Sequence, residues 1–312
     1  MNNKIVVLGG GTGQSILLKG LKKFPFDITA VVSVCDDGGS TGKIRENFNI
    51  PAMGDLRRVV IALAETDEVL EKLINYRFTK SDDLGGHTVG NIILTALNET
   101  CGSMSKGIKQ ISHILNMKGE VLPLTDDNVV LMGKMEDGSI VEGEHHITEC
   151  DKKIEKVYYK KEPKVNKDVI KKIKESDAIV LSMGSLYTSI IPNLICKDVI
   201  NAIDESNAKI IYVCNLFTQP GETDDFKVSD HIKMLNSYLG KRKVDIVITN
   251  SEKVSPRLAK KYMTLEQKDL VKVDSKNIEI TNISRPLIKL DGEIIRHDAI
   301  KIGLEIMNIL LK

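Results

Sequence analysis

The chain has 312 residues, of which 42% are hydrophobic and 28% charged, so it is long enough to bury a full core without help from disulfides or metals. Its 44 Lys and Arg residues against 43 Asp and Glu residues leave a formal net charge of +1, which argues against a nucleic-acid partner or a membrane-surface binder. Trp is absent, and the apolar runs are too short for a signal peptide or a membrane helix, so we expect no membrane insertion. The five cysteines form no CxxC pair, and we expect a cytoplasmic protein.

The first half of the chain alternates between β-branched runs and helical patterns. Residues 5–8 predict a strand ending in glycines, residues 15–23 a helix, and residues 28–34 a second buried strand. Together they form a βαβ unit. Further helices are predicted over residues 56–64, with Asp55 as the N-cap, and over residues 67–76, 89–99 and 103–115.

Short strand-like patterns fill residues 120–161, which predicts a small β-hairpin insertion. The α/β alternation then resumes, with strands predicted over residues 178–182, 209–214 and 244–249 and a last helix over 298–311. The sequence contains no internal repeat or long linker. We therefore predict a single α/β domain over residues 1–312, with a doubly wound, mostly parallel sheet.

Four of the five residues at positions 9–13 are glycines, and they lie between the first strand and its helix. Glycines allow a ligand to approach the backbone closely, and a helix N-terminus offers free N–H groups to a phosphate. Gln14 and Ile16 stand where a GxGxxG fingerprint needs a further glycine, so this is not a standard dinucleotide loop. A tight turn is the alternative, but the position at a strand's carboxyl end favours phosphate binding.

Two adjacent acids, Asp36 and Asp37, follow the second strand in the segment CDDGGSTGK. Either carboxylate could bind a ribose hydroxyl or Mg²⁺. Because neighbouring side chains on an extended segment alternate in direction, only one should face the site. Asp55 has a structural interpretation as a helix N-cap, and His87 as a structural hydrogen-bonding residue.

Polar or glycine-rich loops recur after the predicted strands and before several helices. They include GGHTVGN at 85–91, SMGSLYTS at 182–189, and Asn215 with TQPGET at 218–223. In an open α/β sheet, ligands bind at the carboxyl ends of the strands. The concentration of these loops therefore predicts a ligand site at that edge.

The motifs GGGTG, CDDGGSTG, MGDLRR, GGHTVGN, LPLTDD, GSLYTSIIPNL, CNLFTQPGET and IRHD occur in this order across nearly the whole chain. This series closely resembles the gluconeogenesis-factor (YvcK) branch of the CofD-like, or 2-phospho-L-lactate transferase-like, family. One departure is Ser182-Met183, where the family more often has a Gly-Pro pair.

The resemblance implies a Rossmann-like three-layer α/β/α fold that binds a nucleotide. The enzymes of the family use Mg²⁺ to transfer a phospholactyl group from a guanosine diphosphate donor to a deazaflavin. The branch resembled here is instead one of bacterial regulators, which bind UDP-sugars such as UDP-N-acetylglucosamine and support growth and cell shape on gluconeogenic carbon sources.

Carried over by motif, the resemblance implies that the loop from Gly10 to Gly13 cradles the diphosphate. Asp37 and Asp55 would face the metal or the reactive end and are the catalytic candidates. Tyr262 and Arg296 would contact the sugar or its phosphate. The other implied nucleotide contacts are Gly11, Thr12, Asp36, Gly38, Ser40, Asn91, Gly184, Ser185, Tyr187, Thr188 and Asn215.

The leading hypothesis is a nucleotide-sugar-binding regulatory factor, required for gluconeogenic growth and cell morphogenesis, that does not turn its ligand over. The alternative is a Mg²⁺-dependent transferase acting on a nucleotide diphosphate-linked substrate. An NAD(P)-dependent oxidoreductase is disfavoured by the missing GxGxxG. We also expect a homodimer and a regulatory protein partner, whose identity the sequence leaves open.

Overall fold

The computed structural model describes residues 2–80 and 83–311, and its centre is a sheet of seven parallel strands. The strands of the chain are β1 (Asn3–Gly9), β2 (Phe26–Val32), β3 (Glu120–Pro123), β4 (Leu131–Met135), β5 (Ile140–Glu142), β6 (Ile154–Tyr159), β7 (Ala178–Leu181), β8 (Lys209–Val213), β9 (Ile246–Asn250), β10 (Thr281–Arg285), β11 (Ile288–Asp291) and β12 (Ile294–His297).

The helices between these strands are mostly amphipathic and pack on the sheet. They are α1 (Gly11–Leu21), α2 (Gly39–Phe48), α3 (Gly54–Leu63), α4 (Glu68–Asn75), α5 (Val89–Cys101), α6 (Met104–Ile114), α7 (Glu144–Glu149), α8 (Lys167–Lys174), α9 (Ile191–Leu194), α10 (Lys197–Glu205), α11 (Val228–Tyr238), α12 (Pro256–Glu266) and α13 (Ala299–Leu310). A π-helical turn at Leu186–Ile190 and a 3₁₀ turn at Ser275–Asn277 complete the set among the described residues.

The strand order of the main sheet is β10-β9-β8-β7-β1-β2-β3. From β1, the sheet extends to one side through β2 and β3, and to the other side through β7, β8, β9 and β10. The order therefore reverses between β1 and β7, which is where doubly wound sheets bind their ligands. The predicted Rossmann-like, mostly parallel α/β fold is confirmed.

The core lies along β1 and its neighbours, where both faces of the sheet are covered. Ile5, Val7 and Leu8 are at most 1% exposed, as expected for a parallel strand buried on both sides. Helices α1 and α13 pack closely through Gly20, where a Cβ would lie 2.3 Å from the carbonyl oxygen of Ala299. This close contact fixes α1, and with it the loop at its N-terminus.

The segment predicted as an insertion divides between two sheets. β3 pairs with β2 at the edge of the main sheet, whereas β4, β5 and β6 form a separate antiparallel sheet in the order β5-β4-β6. The short helix α7 follows β5. β11 and β12 form a further antiparallel hairpin.

Two local predictions need correction. Asp55 is not an N-cap: α3 begins at Gly54 after Met53, and the Asp55 carboxylate lies within the first turn. The sequence analysis also missed α2, whose first four residues, Gly39, Ser40, Thr41 and Gly42, are poor helix formers. In residues 2–80 and 83–311, no helix has the length and apolar character to cross a membrane.

Candidate functional site

The glycine loop after β1 lies at the reversal point of the sheet. A Cβ on Gly10 would lie 2.7 Å from both Oδ2 of Asp55 and Oγ of Ser33, and one on Gly13 would lie 2.5 Å from the carbonyl oxygen of Met183. Gly11 has a φ of +63°. Glycine is therefore required here because three chain segments converge on the loop.

The N-terminus of α1 is open to a ligand. No side chain within the described residues caps it at Gly10, and Thr12 in its first turn is exposed. The first-turn N–H groups have no partner within their own helix and carry the positive end of its dipole. An anion is the ligand that such a helix end favours.

A cavity of about 640 Å³ begins at this helix end. Thr12, Arg58, Arg296 and His297 line it, and it continues along α1 past Lys19. Its charged lining is mixed, with Lys19, Arg58, Lys289 and Arg296 against Glu71, Asp291 and Asp298. Of the two residues expected at the sugar or its phosphate, Arg296 does line the cavity.

Asp36 and Asp37 point to different partners. The carboxylate of Asp37 accepts hydrogen bonds from the backbone N–H groups of Glu144 (3.2 Å) and His145 (2.8 Å), at the start of α7. Asp36 accepts from the N–H of Gly38 at 3.0 Å, and its other oxygen would be 2.6 Å from a Cβ on Gly54. The resemblance implied that Asp37 faces the metal or the reactive end; in the structure its carboxylate is bound to the start of α7, and the Asp36 carboxylate lies beside Gly54.

Asp36, Asp55 and Glu144 form an acidic cluster beside the glycine loop. Burial, followed by the charge of Asp36, raises the pKa of Asp55 to about 6, and the guanidinium of Arg58, 2.9 Å away, opposes this shift. Burial and the charges of Asp36 and Asp55 raise the pKa of Glu144 to about 8. The sequence analysis missed Glu144 because the fold brings it to the cluster from the insertion.

The cluster is incomplete as a metal site by itself. Over residues 2–80 and 83–311, no three His, Cys, Asp or Glu side chains are placed to hold a metal ion together. Mg²⁺ is commonly held by one or two carboxylates together with ligand phosphates and waters. Asp36 and Asp55 could supply such carboxylates beside the glycine loop, while the Asp37 carboxylate is already hydrogen-bonded to the start of α7.

Ser40 and Asn91 belong to a buried polar network beside the acidic cluster. The Asn91 amide donates to Oγ of Ser40 at 3.1 Å and accepts from Nε of Arg57 at 3.0 Å. Nδ1 of His87 lies 3.0 Å from the same Oγ, in line with its structural interpretation. Burial lowers the pKa of Arg57 to about 10. Asn91 thus holds the N-terminus of α2 against α3 and α5.

The loops after β7 and β8 are joined by direct hydrogen bonds. Oγ of Ser185 donates to Oε2 of Glu222 at 2.6 Å and lies 2.7 Å from Oγ1 of Thr188. The Asn215 amide donates to the carbonyl of Gly184 at 2.9 Å. Burial raises the pKa of Glu222 to about 7. These predicted site residues do come together, as the lining of one edge of the sheet.

Tyr187 and Tyr262, which the resemblance places at the nucleotide and at the sugar or its phosphate, both have partners within the protein. The Tyr187 side chain is 1% exposed, and its hydroxyl bonds the carbonyl of Ile154 at 3.5 Å. The Tyr262 ring stacks on Phe217 with centroids 4.5 Å apart, and its hydroxyl accepts from the N–H of Ile295 at 2.8 Å. Neither side chain lines the cavity beside Thr12.

Comparison with known proteins gives consistent matches over nearly the whole chain. The family model described as 2-phospho-L-lactate transferase CofD matches residues 5–288. The chain is 40% identical over 303 residues to the protein named gluconeogenesis factor of Halalkalibacterium halodurans, covering 96% of this chain and 94% of that protein. It is 38% identical over 312 residues to the protein of the same name in Bacillus subtilis, with 98% of each covered.

Solved structures agree with the sequence matches. An X-ray crystal structure of a protein from Bacillus halodurans matches with a TM-score of 0.95 at 39% identity. The match covers 98% of this chain and 100% of that one.

Proposed function

This chain belongs to the CofD family, and on that premise we propose that it binds a nucleotide sugar of the UDP-sugar class at the carboxyl edge of its sheet. It would act as a regulatory factor, required for gluconeogenic growth and cell morphogenesis, and would leave its ligand intact. The observation that carries the proposal is the uncapped N-terminus of α1, which opens into a cavity lined by Arg58 and Arg296.

The chemistry of this cavity supports a ligand with a diphosphate and a neutral polar substituent. Its volume of about 640 Å³ is within the common range of small-molecule sites, ~300–1,000 Å³. The helix end and the arginines suit phosphate oxygens. The cavity is also lined by hydrogen-bonding groups of two helices, Ser15 and Lys19 of α1 and Glu71 and Asn75 of α4.

Isothermal titration with UDP-N-acetylglucosamine, followed by chromatography of the recovered ligand, tests the proposal. Binding with the ligand recovered intact supports a sensor. Breakdown of the ligand would instead make the protein an enzyme. If the protein gives no heat with this ligand at several temperatures, the UDP-sugar assignment is wrong, and guanosine and nicotinamide nucleotides become the next ligands to titrate.

The Thr12→Glu variant places a negative charge in the first turn of α1. It should abolish phosphate binding by repulsion, yet leave the fold intact because an acid in a first helical turn adds ~0.3–1 kcal/mol of stability. Thr12→Gln is the matched neutral control and should bind within a few-fold of wild type. Equal affinity of the Glu and Gln variants would place the ligand elsewhere.

The alternative, a Mg²⁺-dependent transferase, is supported by the pair Asp36 and Asp55 beside the glycine loop. Mg²⁺ held there would neutralise charge on a departing phosphate. Asp55→Asn should then remove turnover while nucleotide binding is retained. If wild type and variant both form no product from guanosine or uridine diphosphate-linked substrates, the regulatory proposal is favoured.

A further inference from the structure

We propose that Arg58 is a phosphate-binding residue, and that it reaches the phosphate by exchanging its ion pair with Asp55 for contacts with the ligand. The inference rests on the proposed function, since it concerns the same cavity. It adds a residue and a change of partner that the motif series does not supply.

The geometry of α3 separates the two neighbouring arginines. Arg57 points inward, is 7% exposed, and donates to Asn91 and Asn75. Arg58 points outward: its side chain is 43% exposed and lines the cavity that begins at Thr12. Arg58 can therefore reach a ligand in the cavity, whereas Arg57 is committed to the protein interior.

The ion pair of Arg58 leaves most of its hydrogen-bonding capacity unused. Its Nη1 donates to Oδ1 of Asp55 at 2.9 Å. Within residues 2–80 and 83–311, this is the one hydrogen bond that the Arg58 side chain makes. A guanidinium carries five N–H donors and binds phosphate in a bidentate manner. A diphosphate at the N-terminus of α1 offers more charge and more acceptors than the one carboxylate.

Other charged groups of the cavity are placed differently. Lys19 lies one to two turns further along α1 and pairs with Glu71 at 2.7 Å. Arg296 also lines the cavity, from β12. A phosphate bound in this cavity could therefore be contacted by both Arg58 and Arg296.

Asp55 disfavours such a ligand in two ways. Its carboxylate lies against Gly10 and Gly11, with Oδ1 3.3 Å from the place of a Cβ on Gly11, so it repels an anion at the loop. It also holds Arg58 in the paired state. Removing the Asp55 charge should thus strengthen phosphate binding partly through Arg58, and this part should disappear when Arg58 is absent.

The test is a double-variant cycle with inorganic pyrophosphate, titrated calorimetrically in the presence of EDTA. Arg58→Gln should weaken pyrophosphate binding at least tenfold. Lys72→Gln is the matched control, because it removes the same charge from an exposed Lys72–Glu68 pair on α4, and it should change affinity less than twofold. Asp55→Asn should tighten binding several-fold in the wild-type background but clearly less in the Arg58→Gln background.

Three results would overturn the inference. The first is that the wild-type protein does not bind pyrophosphate, and the second is that Arg58→Gln binds it as tightly as Lys72→Gln does. The third is that Asp55→Asn has the same effect in both backgrounds, which would mean that Asp55 acts by simple repulsion. If Arg58→Gln does not fold, Arg58→Lys takes its place and should weaken binding several-fold through loss of bidentate contacts. Pyrophosphate binding that Arg58→Gln weakens, without any UDP-N-acetylglucosamine binding, would contradict the proposed function while supporting the role of Arg58.

Discussion

Asp37 accepts a hydrogen bond from the backbone N–H of His145 at 2.8 Å, across 108 positions of sequence. The loop after β2 is thereby joined to α7 of the small antiparallel sheet. The same helix brings the carboxyl group of Glu144 to Asp36 and Asp55. The insertion is therefore a wall of the candidate site, and its attachment can be tested separately from ligand binding.

Replacing Asp37 by Ala should loosen α7. The change removes two hydrogen bonds to the start of the helix and a favourable negative charge, so we expect a loss of about 1–2 kcal/mol in the free energy of unfolding. Urea denaturation measures the loss, and amide hydrogen exchange should accelerate first over residues 144–149. The exposed Asp151→Ala is the control. Unchanged exchange in α7 would refute the proposed attachment.

Glu144 should make stability depend on pH in a defined direction. Its pKa is raised from 4.5 to about 8 in the folded protein, so the folded state retains a proton that the unfolded state releases. Its contribution to stability therefore falls as pH rises from about 4.5 to about 8. Glu144→Gln, which mimics the protonated form, should match wild type near the lower limit and be more stable above the upper one, by up to ~5 kcal/mol at ~1.4 kcal/mol per pKa unit. A constant difference across this range would contradict the raised pKa.

Glu222 should be needed as a hydrogen-bond acceptor more than as a charge. It is 5% exposed and accepts from Ser185 and from the N–H of Tyr187. Glu222→Ala leaves these donors buried without a partner and should cost ~1–3 kcal/mol, whereas Glu222→Gln keeps an acceptor oxygen and should cost less than ~1 kcal/mol. Chemical denaturation of both variants at pH 6 makes the comparison. Equal losses would contradict the role of Glu222 as a hydrogen-bond acceptor.

Gly20→Ala should destabilise the protein even though Ala is the better helix former. Its Cβ would lie 2.3 Å from the carbonyl oxygen of Ala299, a backbone atom, so α1 and α13 would have to separate. We expect a loss of ~1–3 kcal/mol or more, as for an overpacked core. The control Asn201→Ala, at an exposed position of α10, should stabilise slightly. Calorimetric melting temperatures of the two variants should therefore move in opposite directions.

The sequence predicts the main sheet well because its strands are buried on both faces. The apolar run AIVL leaves little choice of structure, and the strand predicted over residues 178–182 is observed as β7, Ala178–Leu181. The last helix, predicted over 298–311 and observed at Ala299–Leu310, has an equally clear apolar stripe and a capping residue, Asp298. In these segments local pattern and tertiary burial require the same conformation.

Prediction was poorer where distant contacts decide the structure. The helix α2 begins with glycines and hydroxyl residues, and Arg45 within it is anchored by the carbonyls of Cys35 and Asp36. Alternation along the chain predicted that Asp36 and Asp37 would diverge, but it could not say which one faces the site. That choice depends on α7, which lies more than a hundred residues away.

The loops at the carboxyl edge of the sheet are already held together by side-chain amides. Asn193 donates to the carbonyl of Gly9 at 3.1 Å, and Asn215 donates to that of Gly184 at 2.9 Å. A ligand that enters here has little backbone to order, so association should lose less conformational entropy than binding to a flexible loop would. Capture should then be rapid, and differences in affinity between related ligands should appear mainly in how fast each one leaves.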